Sequence, residues 1–395
     1  MGNRLGYAAP ATAERAVQAR LSWWPPVLAW LAATAIVLGT CLAYHWAPFA
    51  AAATWAHEDG QNYLSIARRG YRLVVCPGTQ SNPVWCGNAG WFPAYPWIVA
   101  GLHRLGLPLA GTGVAVSWLA SLGTLIVLWR GFLADRPGLA AAVALCYAAF
   151  APGLVYNYAT FPLSLTNFCT VTSFALLRRR RVLAAGITAA VAALAYPVGL
   201  AVAPAGALWV LCARGSAVRD RLRQCGLLLG PWLAGLAAFA VVQRLSTGRW
   251  NAYLLVQERF DHEVRDPFSA VASAFRAFVH WPFLTHPSFS NFYNIAGAIA
   301  LQALLVFAVM VIVLVELAVR RGPDLYADAL IAIWAVLAWL LLYSTGHVDT
   351  YRGEAALLPI AILVRRLPWA LSIPLAFIAL CLVSPITHLY LVVLP

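Results

Sequence analysis

Two carboxylates stand side by side at Glu58 and Asp59, and a polar run follows them through Gln61, Asn62, Tyr63 and Ser65 to Arg68 and Arg69. Adjacent acids repel each other's charge, and partial burial adds to that effect, so one of them is raised toward the range of a useful base. Asp59 could then take a proton from an acceptor hydroxyl. Asp59 also precedes a helical pattern, so capping that helix is an equally physical role for it. A second polar stretch far down the chain, His347-Val348-Asp349-Thr350-Tyr351-Arg352-Gly353-Glu354, supplies the complementary charge. Arg352 could fork onto phosphate oxygens with two charge-assisted bonds, or anchor the chain at headgroup level. His347 could trade a proton or only line the loop. Glu58, Asp59 and a His could share a divalent cation, yet no spacing such as His-Glu-x-x-His supports one, so no metal is assigned.

These residues must be held by a membrane scaffold. The chain is 62% hydrophobic and only 10% charged, with mean hydropathy +0.75, which is too apolar for a soluble domain of 395 residues. The net charge of +13 comes from 27 Arg and no Lys. No basic stripe is interleaved with stacking aromatics, so a nucleic-acid partner is not expected. Arg instead marks the cytoplasmic ends of spans. The N-terminal arm with Arg4, Arg15 and Arg20 lacks a small-residue cleavage site and reads as an uncleaved signal anchor.

A span takes about 20 apolar residues. On that measure the expectation is an all-α, polytopic, single integral-membrane domain over 1–395 with about 11 transmembrane helices. Residues 26–46 are the first span, and a long extracytoplasmic loop, 47–108, carries the acids. Within it, 97–107 is too short to cross and reads as interfacial or re-entrant. Residues 182–212 are broken at Tyr196-Pro197-Val198-Gly199 into two short helices. A second outer loop covers 244–292. Seventeen of the 27 Arg, including the run Arg178 to Arg181, then fall on the cytoplasmic side, whereas acids and His gather outside. Cys76 and Cys86, ten residues apart in a polar outer loop, are a disulfide candidate. Glu316, near the inner end of its span, is expected to pair with Arg320.

The block Asp59-Gly60, Asn62-Tyr63-Leu64, Ile66-Ala67 and Gly70-Tyr71, followed by Trp91-Phe92-Pro93-Ala94-Tyr95-Pro96, resembles the PIG-V-type mannosyltransferases of the GT-C superfamily. Tyr196-Pro197-Val198-Gly199 resembles that family's Arg-Pro-x-Gly segment, and Tyr351-Arg352 its late outer motif. Three positions depart from the pattern: Glu58 intervenes between Trp55 and the acid, Thr160-Phe161-Pro162 replaces an outer Ser-Glu, and Tyr196 stands where Arg is usual. The resemblance implies an inner-membrane, inverting glycosyltransferase that takes a sugar, mannose in that family, from a polyprenyl-phosphate donor. The acceptor would be a lipid, glycan or protein hydroxyl on the extracytoplasmic face. Asp59 matches the family's first-loop acid. Glu58 would assist it, while Gln61, Asn62, Tyr63, His347, Tyr351 and Arg352 would contact substrate; Tyr63 could equally serve the core. A transporter or lipid flippase, or a noncatalytic subunit of a glycan-assembly complex, are the competing readings. A transporter would need ionisable groups along a path through the spans.

Overall fold

The computed structural model describes residues 22–43, 50–57, 59–79, 83–135, 138–213, 215, 217–260, 264–320, 324–345 and 350–393. Glu58 and His347 therefore lie outside the described residues. The chain is an all-α polytopic membrane protein. Its one sheet among the described residues is a small hairpin, β1 (Leu73–Val75) against β2 (Trp85–Gly87).

Each of the eleven apolar segments marked from hydropathy contains helix, and among the described residues six helices are long and apolar enough to cross a bilayer. These are α1 (Trp24–Ala43), α4 (Leu109–Leu128, continued by a π turn to Leu133), α9 (Val218–Thr247), α12 (Ile295–Val319), α13 (Leu325–Thr345) and α14 (Trp369–His388). Helices apolar on every side suit a bilayer because each closes its own backbone hydrogen bonds. The other five are shorter: α5 (Leu139–Ala149), α6 (Leu163–Arg178), α7 (Val182–Ala193), α8 (Val202–Leu211) with its leading 3-10 turn Pro197–Ala201, and the 3-10 and α pair Glu354–Ile360 and Ala361–Val364. These segments pack among protein neighbours, where irregular backbone is tolerated. The break between α7 and α8 falls at Tyr196-Pro197. Gly199 is required there because a Cβ would lie 2.0 Å from the Ala192 carbonyl oxygen.

Helix α6 packs between α4 and α7, and α7 packs on α9; α14 packs against α1, α5 and α12. Helix α13 bridges the groups through the Pro197–Ala201 turn, α8 and α12. The connecting elements are short: α2 (Gly60–Arg69), α3 (Ala94–Arg104), α10 (Ala252–Glu258) and α11 (Pro267–Val279), with a helical turn at Thr350–Gly353. At 11 residues α3 is too short to cross, and its last turn exposes His103 and Arg104.

Candidate functional site

Helix α2 is amphipathic, burying Tyr63, Leu64 and Ile66 while Gln61, Arg68 and Arg69 face out. Its start is drawn tightly onto the loop after α5. The Thr160 amide donates to the Trp55 carbonyl at 2.7 Å, and a Cβ on Gly60 would sit 3.3 Å from the Thr160 carbonyl oxygen. A larger residue would push the Asp59 turn a few tenths of an ångström from its support. The far end is tied by Asn88, whose side-chain amide donates to Ser65 Oγ at 3.0 Å and to the Gly70 carbonyl at 3.1 Å. Asn88 precedes α3 and follows the hairpin, across which Cys76 and Cys86 are disulfide-bonded.

Asp59 occupies the position before α2, but its side chain makes no capping hydrogen bond there. Capping is therefore corrected as its role. The carboxylate reaches instead to Arg352, whose Nη1 donates to Oδ2 at 3.0 Å across 293 residues of sequence. The Arg352 side chain is 11% exposed and that of Asp59 33% exposed, so the cation lies beneath and the carboxylate opens toward solvent.

A second network sets the Arg352 turn. Gln302, a fully buried amide in the middle of α12, donates to the Tyr351 carbonyl at 2.8 Å and to Glu354 Oε2 at 2.7 Å, and accepts from the Gly153 amide at 2.9 Å. Tyr343 on α13 donates to the other Glu354 oxygen. Buried polar groups matched in this way hold one geometry, because each broken bond would leave an orphan in a low dielectric. Aromatic rings connect the two turns. Tyr156 meets Tyr351 at 6.0 Å, Tyr390 at 5.4 Å and Phe161 at 5.3 Å; Phe161 meets Tyr63, and Tyr390 meets His57. Most of these contacts are edge to face, the arrangement the ring quadrupole favours.

The Tyr63 hydroxyl is held well above its ordinary range, first by burial and then by the Asp59 charge, with Tyr196 and Tyr253 adding to the shift and Arg352 opposing it. It stays protonated and can only donate a proton or share a lone pair. His57 is pushed the other way by burial, which favours neutral imidazole. A cavity of about 390 Å³ opens beside Tyr351 and Glu354 between α11 and α12, walled by small residues including Ala270, Ala274, Ala300 and Ala303.

Of the residues singled out from sequence, Asp59, Tyr63, Tyr351 and Arg352 come together. Asn62 is half-buried one residue before Tyr63, and Gln61 turns back so that its amide donates to the Ala56 carbonyl at 2.8 Å. Sequence reasoning did not name Gln302, Tyr196 or His57 as site residues. A lone Gln within an apolar span was a usable signal. So was the change to Tyr196, whose hydroxyl lies 3.3 Å from where a Cβ on Gly353 would stand. Among the described residues no three His, Cys, Asp or Glu converge on a metal position.

No protein-family model and no curated protein matches the chain. Among solved structures it is similar to the archaeal oligosaccharyltransferase AglB from Archaeoglobus fulgidus, solved in complex with an inhibitory peptide and a dolichol-phosphate. The identity is 16% and the TM-score 0.48, covering 91% of this chain and 55% of that one, so this chain spans about half the length of AglB. A likeness of this extent leaves the activity to be argued from the site itself.

Proposed function

We propose that this protein is a GT-C-type glycosyltransferase that moves a sugar, mannose by the motif resemblance, from a polyprenyl-phosphate donor to a lipid, glycan or protein hydroxyl on the extracytoplasmic face of the inner membrane. The observation that carries this reading is the pairing of Asp59 with Arg352 at 3.0 Å. A carboxylate open to solvent and a guanidinium buried beneath it are the two groups that an inverting transfer from a phosphate ester requires. The acceptor oxygen bonds to the anomeric carbon as the bond from that carbon to the phosphate oxygen breaks. Asp59 takes the hydroxyl proton, and the leaving phosphate keeps the electron pair and is stabilised by Arg352.

The two charges pair with each other. An arriving phosphate competes for the Arg352 fork and frees Asp59 to act as base, which couples donor binding to activation of the acceptor. The neighbouring Tyr63 hydroxyl, kept protonated, can orient the acceptor or a sugar hydroxyl. The cavity beside Tyr351 has one wall of alanines that suits the first part of a prenyl chain and another of polar groups, Arg265, Ser269, Ser273 and Thr350 among them. Two of the acids in the described spans are already paired, Glu316 with Arg320 at 3.3 Å and Asp328 with Arg365 and Arg366, which weighs against a charged transport path.

The test is transfer from radiolabelled polyprenyl-phosphate mannose to membrane lipid and protein in proteoliposomes, comparing wild type with Asp59→Asn. The expected result is label in one acceptor fraction with wild type and a near-complete loss in the variant. Equal transfer by the two proteins overturns the role of Asp59. No transfer by either, with other sugar donors also tried, overturns the transferase reading in favour of a transporter or a noncatalytic subunit.

A further inference from the structure

Helix α13 runs from Leu325 to Thr345, and its Thr345 end leads toward the Arg352 turn. Twenty-one helical residues rise roughly 30 Å, so its Leu325 end lies on the opposite side of the bundle. A second and larger cavity, about 1650 Å³, opens there between the ends of α6, α8 and α12 and the starts of α7, α9 and α13. Arg178, Arg180, Arg221 and Arg223 line it against a single acid, Asp220. Its remaining wall is apolar and includes Leu183, Leu227, Leu314 and Leu317. A bias of Arg toward one membrane face accounts for their side of the bundle, but not for their convergence on one amphipathic cavity.

Two of these arginines carry marks of a binding role. Arg221 is fixed by an Nη1 bond to the Leu211 carbonyl at 2.8 Å, while its Nε is buried and finds no acceptor among the described residues. That buried Nε–H belongs to a side chain lining the cavity and is an unmatched donor that an anion there would satisfy. Arg180 is the one non-glycine with positive φ among the described residues, at 59°. It closes α6 in a motif where the Arg181 amide bonds back to the Leu176 carbonyl, a position for which glycine is the unstrained choice. Arg178, by contrast, is engaged in structure, donating to the Gly131 carbonyl at 2.7 Å and lying over the Phe132 ring. One rim of the cavity is rigid, because Trp209 and Tyr326 stack at 4.4 Å and each donates to the other's carbonyl.

We infer that this cavity binds a phosphate-bearing amphiphile, an anionic phospholipid whose headgroup is held by Arg180, Arg221 and Arg223 and whose acyl chains lie along the leucine wall. The basic rim over an apolar wall is the pattern that recognises such a molecule. The site stands apart from Asp59 and rests on no assignment of the reaction.

Native mass spectrometry of the delipidated full chain tests it, after incubation with phosphatidylglycerol or phosphatidylcholine. The expected result is selective retention of phosphatidylglycerol by wild type. An Arg180→Gly, Arg221→Gln, Arg223→Gln triple variant should retain roughly tenfold to hundredfold less. The single Arg180→Gly variant should melt no lower than wild type, because glycine suits that backbone, and yet bind the lipid more weakly, which separates lost binding from lost folding. Equal retention of the two lipids by wild type, or equal phosphatidylglycerol retention by wild type and the triple variant, overturns the site. Displacement of the lipid by inorganic phosphate alone overturns the amphiphile in favour of a soluble phosphate ligand.

Discussion

Replacing Asp59 should destabilise the protein more than replacing Arg352, although the two form one ion pair. The asymmetry follows from their exposure, 33% for the carboxylate and 11% for the guanidinium. Removing one partner of a buried pair costs about 3–5 kcal/mol, because the other charge is stranded away from water, whereas exposed pairs are worth about 0–1 kcal/mol. Asp59→Ala removes one carboxylate from the deeper charge and should cost about 2–3 kcal/mol. Arg352→Met keeps an apolar stem in place and leaves a carboxylate that water can reach, so about 1 kcal/mol is expected. The double variant should recover at least about 1 kcal/mol relative to the sum of the singles, since the two charges are then removed together. Unfolding in detergent, followed by a thiol-reactive dye at the buried Cys41, Cys169 and Cys225, reads all three. Transfer from the polyprenyl-phosphate donor should fall by about 10²–10⁴ in every one of them, the double variant included. A larger loss for Arg352→Met than for Asp59→Ala, or additive losses, would refute the burial argument. Transfer restored in the double variant would refute the chemical roles.

Three further outcomes are expected. Gln302→Leu should cost about 2–4 kcal/mol by orphaning the Gly153 amide and removing a bond to Glu354, and it should loosen the Arg352 turn, seen as faster hydrogen exchange over residues 350–356. Because burial depresses the His57 pKa, the unfolded chain binds more protons than the folded one as pH drops below the unfolded value of about 6.5. The contribution of His57 to stability is therefore complete above that pH and is lost on acidification toward the folded value. The melting profile of His57→Gln should be correspondingly flatter between about pH 5 and 7, and an unchanged slope would remove His57 as a cause. Opening the Cys76–Cys86 bridge by a paired Ser substitution should cost the hairpin about 2–3 kcal/mol, read as protease nicking near residues 77–84, while the distant spans keep their protection.

The sequence by itself determined the class of structure, because a bilayer imposes a one-dimensional demand. A run of about 20 apolar residues must close its hydrogen bonds internally, and that demand is visible without any partner. The same holds for local events such as the break at Tyr196-Pro197, set by the proline ring, and the i,i+4 pairing of Glu316 with Arg320. It also marked Asp59 and Arg352 as chemically capable residues, each on its own. Only the tertiary structure decided that they meet, and that Asp59 leaves its helix uncapped to do so, because a contact across 293 residues depends on where α12, α13 and the Thr160 loop place two turns. Gln302 was marked only as a lone amide in an apolar span, and its partners, like those of Tyr156, were illegible for the same reason. An amide in an apolar helix and one tyrosine among 15 carry no local sign of their roles, which come from the carbonyls and rings that packing sets against them. Which of the eleven apolar segments form helices long enough to cross, six among the described residues, was likewise decided by packing, since a short apolar helix enclosed by protein has no bilayer thickness to match.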